Sequence, residues 1–205
     1  MSSDSTSPDS AGQPPLRVLL IEDSALIRRS IVEAIDASGM LHVAAFADTS
    51  DEAIALLTGE SFDAVIVDLP DPDTPVLGRL YSTEFYTLVA HALAPSGLMV
   101  VQSGSPFSTP TAFWRTVSTI RAAGYAVTPY HAHVPTFGDW GFALASRGDT
   151  APIPSMPANA PPLRFLNPQV LQASTVFSGD IGPRTLEPST LDNPRIVEDM
   201  RHGYD

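Results

Sequence analysis

The stretch FDAVIVDLPDPDTP, residues 62–75, carries an apolar, β-branched run that ends on a carboxylate, Asp68, and then breaks at Pro70, Pro72 and Pro75. Val65, Ile66 and Val67 in succession suit a strand covered on both faces, whereas proline continues neither a ladder nor a helix. The stretch therefore reads as a buried parallel strand running into a loop over Leu69–Tyr81. In open α/β sheets ligands sit at the C-terminal ends of strands. A carboxylate is costly to leave there without a partner, so Asp68 is the first candidate functional residue.

Upstream, Val18–Ile21 is a short apolar run suited to a strand, and Asp23 or Ser24 can cap a helix with Ile27, Ile31 and Ile35 on one face. Leu41–Phe46 reads as a second strand, and Thr49 with Glu52 forms a capping-box pair ahead of the next helix. Downstream, Ser82 caps a helix with Glu84 in its first turn, and Leu98–Gln102 is a fourth strand. Thr109 and Pro110 open another helix that ends at Gly124. Tyr125–Val134 and Trp140–Ser146, joined by PTFGD, suggest an antiparallel hairpin. Alternating strands and helices with short connections are the signature of a doubly wound, mostly parallel three-layer α/β sheet, here with a C-terminal antiparallel hairpin. The expected strand order is 2-1-3-4-6-5, with the last strand antiparallel.

The expected organisation is a disordered leader over residues 1–15, one α/β domain over 16–148, and a Pro-rich linker and tail over 149–205. Five prolines fall within residues 151–162. The leader has neither a basic nor an apolar segment of secretory type, and the uncharged run Phe85–Trp114 is broken by Pro95, Ser96 and Gly97. A cytoplasmic chain is expected, with no membrane contact.

The chain has 205 residues, no cysteine and a formal net charge of −12. Thiol nucleophiles, Cys-ligated zinc and iron–sulfur clusters are excluded. All 11 basic residues are arginine, so a Schiff-base or phosphate-binding lysine is excluded too. The acidic balance argues against a nucleic-acid partner and suits a cationic one. The turn after the first strand, Glu22-Asp23-Ser24, has no glycine, so no Gly-rich phosphate loop is present there. His131 and His133 lie two apart on one strand without a third ligand in sight and read as structural, and Phe113, Trp114 and Trp140 read as core.

Residues 17–35, RVLLIEDSALIRRSIVEAI, followed by FDAVIVDL, resemble the opening half of a two-component response-regulator receiver domain. This resemblance implies a magnesium ion held by Glu22, Asp23 and Asp68, phosphorylation of Asp68, and a histidine kinase as partner, with Ser103 where the switch hydroxyl sits. Three carboxylates at strand ends are chemically suited to that metal. The receiver family's invariant lysine has no counterpart in this chain.

A second resemblance covers about two thirds of the chain. DAVIVDLPDPDTP (63–75), LYSTEFYTLVAHALAPSGLMVVQSGSPF (80–107), AFWRTVSTIRAAGY (112–125), YHAHVPTFGDWGFALAS (130–146) and RFLNPQVLQASTVFSGD (164–180) are similar, in order, to the polyamine aminopropyltransferases, the spermidine synthase family. That family transfers an aminopropyl group from decarboxylated S-adenosylmethionine to an amine. The similarity implies Asp68 as the catalytic carboxylate that accepts a proton from the attacking amine. It also implies Asp71 and Gln102 as substrate contacts, and a small cationic amine such as putrescine as ligand. A homodimer is compatible with it. Phe137 stands where many members carry a substrate-contacting tyrosine. The family's glycine-rich loop for decarboxylated S-adenosylmethionine is not recognisable, which implies weak or absent transfer. FDAVIVDL belongs to both resemblances, so the expected joint between a receiver-like half (16–68) and an aminopropyltransferase-like half (62–148) falls on this strand, giving a Rossmann-like/receiver-like hybrid.

Overall fold

The strands are β1 (Leu16–Glu22), β2 (Leu41–Ala47), β3 (Phe62–Asp68), β4 (Leu93–Gln102), β5 (Ala126–Val134) and β6 (Gly138–Ser146). They form one sheet in the order β2-β1-β3-β4-β6-β5. The pairs β1/β2, β1/β3 and β3/β4 are parallel, and β6 runs antiparallel to both β4 and β5. The computed structural model describes residues 14–158, 160 and 162–203, so the expected leader lies outside it except for Pro14 and Pro15.

The helices are α1 (Ala25–Asp36), α2 (Ser50–Gly59), α3 (Pro75–Gly78), α4 (Thr83–Ala92), α5 (Pro110–Ala122), α6 (Pro168–Ala173) and α7 (Arg195–Gly203). Their starts follow the local chemistry: Ser24, Thr49 and Ser82 each accept a backbone N–H through the side chain. Glu52 closes its half of the capping box one residue further out than expected, accepting from Asp48 N at 3.2 Å. The proline-rich segment 69–81 is not all loop. Thr74 caps α3 with Pro75 in its first turn, and a 3-10 turn over Arg79–Tyr81 continues it.

Leu19 and Ile21 of β1, Val65 and Val67 of β3, Met99 and Val101 of β4, and Ala143 and Ala145 of β6 share one core with side chains of α2, α4, α5 and α7. Right-handed crossovers in opposite directions from β1 put α1 on the other face, against β1 and β2. The two faces are unequal: α1 buries none of its residues, so the expected Ile27, Ile31 and Ile35 stripe is only partly covered.

The small inward residues of β6 let α5 approach closely; an added Cβ on Gly141 would stand 2.5 Å from the Phe113 ring and 2.9 Å from the Gly104 carbonyl oxygen. Phe113 and Trp114 are core, as expected, in edge contact at 5.0 Å. The expected tail is partly built into the core. Ile196, Val197 and Met200 of α7 enter the core, and Asp199 accepts a forked pair of hydrogen bonds from the buried Arg115 guanidinium of α5, which also donates to the Glu187 carbonyl at 2.7 Å. No helix among the described residues is long and apolar enough to cross a membrane.

Candidate functional site

The parallel register lines up the C-terminal ends of the central strands. Glu22 pairs with Asp68, the step from Val67–Val101 brings Gln102 beside Asp68, and Gln102 pairs with Phe142. All four side chains leave the same face by strand alternation. They line a cleft of about 450 Å³ with Asp23, Asp71, Phe137 and Trp140. Five sequence-derived candidates, Glu22, Asp23, Asp68, Asp71 and Gln102, thus meet in one place. A larger space of about 820 Å³ lies elsewhere, on the outer face of the hairpin. The smaller cleft carries the convergent titratable groups and is the candidate site.

Glu22 is nearly fully buried at 3% exposure and accepts from Ser24 N at 2.7 Å. Burial pushes its carboxyl up to about 7; the Ser24 N–H opposes that shift, and the neighbouring Asp68 charge adds to it. Asp68 is raised as well, chiefly by burial, while a hydrogen bond with Glu22 lowers it. The two carboxyl groups therefore titrate as a coupled pair, with burial holding the proton of Glu22 up to about 7.

The loop that follows is pinned from below. The buried Tyr81 hydroxyl donates to the carbonyls of Leu69 and Pro70 at 3.3 and 3.2 Å, which fixes the path between Asp68 and Asp71. Gln102 donates to the Leu69 carbonyl at 3.2 Å and accepts from the Trp140 indole N–H at 2.7 Å when its amide is oriented to satisfy both neighbours. Gly104, at φ +73°, turns the chain beside Asp71; a Cβ there would sit 3.8 Å from Asp71 Oδ1.

Trp140 is a correction. It belongs to the cleft wall with Phe137, at 5.5 Å between ring centroids, and not to the core. The signal for this is the alternation Trp140, Phe142, Leu144 against Gly141, Ala143, Ala145, which puts the large side chains on the face away from α5. The tyrosine clamp was missed because an isolated Tyr81 in a proline-rich segment shows no periodicity. Ser103 is buried and donates to the Val101 carbonyl at 3.0 Å, a structural bond. His131 is structural as expected, with its ring nitrogens on Asp139 and the Val176 carbonyl, each at 2.9 Å.

The geometry lends the magnesium expectation no support. Among the described residues no group of three or more His, Cys, Asp or Glu side chains is disposed to hold a metal ion. Glu22, Asp23 and Asp68 line one cleft, and Glu22 accepts from Ser24 N there.

A family model described as the spermine/spermidine synthase domain matches residues 40–154. The chain belongs to that family. It is 74% identical over 160 residues to the polyamine aminopropyltransferase of Mycobacterium tuberculosis (strain H37Rv), covering 76% of this chain and 31% of the relative. It is 55% identical over 155 residues to the polyamine aminopropyltransferase of Corynebacterium efficiens, covering 71% of this chain and 28% of the relative. The chain thus spans about 30% of the length of these curated relatives. In fold it is similar to the crystal structure of spermidine synthase from Thermotoga maritima, with a TM-score of 0.61 at 19% identity over 82% of this chain and 68% of that one. The spermine/spermidine synthase match starts 22 residues before Phe62 and takes in β2 and α2, so the joint expected on β3 is not where the family likeness begins. None of these findings supports the receiver-like reading of residues 17–68.

Proposed function

We propose that the strand-end cleft is the amine site of a polyamine aminopropyltransferase. Asp71 holds an ammonium group of a small polyamine such as putrescine, and Asp68 receives the proton of the attacking nitrogen. The observation that supports this is the meeting of Asp68, Asp71 and Gln102 in one cleft of a spermine/spermidine synthase family member. Carboxylates and the Phe137–Trp140 rings lining one cleft suit a cationic chain with methylene spacers.

In the transfer step the nitrogen lone pair attacks the aminopropyl carbon attached to the sulfonium of decarboxylated S-adenosylmethionine. The carbon–sulfur electron pair returns to sulfur, leaving a thioether, and the nitrogen's proton passes to Asp68. A carboxylate whose affinity for protons is raised by burial serves better as that acceptor than an exposed one. On the donor side the β1 turn is filled by the Glu22 carboxylate and the Ser24 helix cap, with no glycine to admit a nucleoside closely, which supports slow transfer beside competent amine binding.

Equilibrium dialysis with putrescine tests the reading, paired with an assay for methylthioadenosine release. The wild type is expected to bind saturably, Asp71→Asn to lose at least tenfold in affinity, and Asp68→Asn to release no methylthioadenosine. Equal putrescine affinity in all three proteins contradicts the proposal.

A further inference from the structure

We propose that the space between the outer face of β4, β6 and β5 and the strap formed by residues 153–157 and 163–173 binds a neutral, largely apolar small molecule. This site adjoins the amine cleft, with Tyr130 stacked on Phe142 between them, but shares no lining residue with it, and the proposal does not rest on the amine reading. Its floor is sheet, with Leu98, Tyr130, Ala132 and Leu144 on the face that α5 does not cover. Its roof is the strap, which is tied at both ends. Ser146 Oγ donates to the Thr150 carbonyl at 3.2 Å, and His131 N donates to the Ser174 carbonyl at 2.9 Å. Phe177 fixes the far end further by packing on Phe113, Trp114 and His131. Among the described residues no hydrogen bond joins 153–157 or 163–173 to the sheet between these ties. The strap arches over the sheet and leaves about 820 Å³ beneath it.

That volume lies within the usual range for small-molecule sites, which are mostly apolar with a few fixed polar groups. Ile153, Leu163 and Phe165 line it from the strap and remain 83, 50 and 56% exposed, large apolar surface that a ligand would remove from water. The choice of a neutral ligand follows from the polar groups present. His131 and Asp139 at the cavity wall already satisfy each other at 2.9 Å, and His131 Nε2 is engaged by the Val176 carbonyl. His133 sits at the rim, exposed to water.

Titration of the full chain with N-phenyl-1-naphthylamine, an uncharged apolar fluorophore, tests the proposal. Saturable uptake of one probe per chain is expected, with slower amide hydrogen exchange confined to residues 130–133 and 151–174. Ala132→Trp on the floor and Ala173→Trp on the roof fill the space from opposite sides. Each is expected to weaken uptake at least tenfold while the far-ultraviolet circular dichroism is retained. Absence of saturable uptake overturns the proposal, as does undiminished uptake in both variants. Exchange protection elsewhere overturns it too, and so does a chain that sediments as a dimer and takes up no probe, which would place a second copy on this face.

Discussion

At the scale of single residues, Glu22 is the side chain whose cost the fold carries most visibly. Its carboxyl, raised from 4.5 to about 7, binds a proton more tightly in the folded chain than in the unfolded one. The contribution to stability is therefore full below the unfolded value and lost as pH rises through about 7. Urea unfolding midpoints are expected to fall between pH 5 and 8 by the equivalent of about 2–3 kcal/mol. Glu22→Gln keeps an oxygen for Ser24 N–H without the charge, so its midpoint is expected to stay level across that range and to exceed the wild type's at pH 8. A variant that tracks the wild-type pH profile would show that the burden lies on another group. The place of Asp68 in the cleft was legible from its position at the end of a β-branched run. Its coupled partner was not, because nothing in Glu22-Asp23-Ser24 says which of the two acids turns inward. Strand parity settles it: Glu22 continues the face of Val18 and Leu20, while Asp23 stands exposed beyond the strand.

At the scale of elements, two contacts hold the site's frame. The first is β6 against α5 at Gly141. Gly141→Ala forces a methyl group against the Phe113 ring and the Gly104 carbonyl, and is expected to cost about 1–3 kcal/mol in thermal or urea unfolding. The same change also displaces Trp140 and Phe142, so putrescine affinity should fall with it. The second contact is α7 on α5. Asp199→Ala leaves Arg115 without its carboxylate in a nearly dry position and is expected to destabilise by about 3–5 kcal/mol, whereas Arg195→Ala, removing an exposed pair with Glu187, should change stability by less than about 1 kcal/mol. Equal effects of the two variants would mean that α7 is not packed as described. The sequence made the six strands and their order readable because hydrophobic runs, caps and turn glycines agreed with one another. It concealed α3 because three prolines argue for a loop unless Pro75 is recognised in the first turn of a helix after the Thr74 cap. It concealed α7 because Ile196, Val197 and Met200 are three apolar residues in an otherwise polar segment; their i, i+1, i+4 spacing was the available signal.

At the scale of the whole molecule, one sheet carries two unequal sides. The core side is closed by four helices, while the other is covered by α1 at one edge and the strap at the opposite edge, with the candidate cleft opening at the strand ends. The spermine/spermidine synthase domain model matches β2 to β6, which carry Asp68 and Gln102 at their ends, and Glu22 meets them from β1, before the residues of that match. The central proposal is that this cleft works as one amine site. Calorimetric titration of the full chain with putrescine, in two buffers of different ionisation enthalpy at pH 6.5 and 8, tests this directly. Bound cation should drive the proton off the Glu22–Asp68 pair. The account predicts saturable binding that tightens from pH 6.5 to 8, with release of up to one proton at the lower pH, and loss of that release in Glu22→Gln. Absence of saturable heat at both pH values, or binding with neither proton release nor pH dependence, would contradict it.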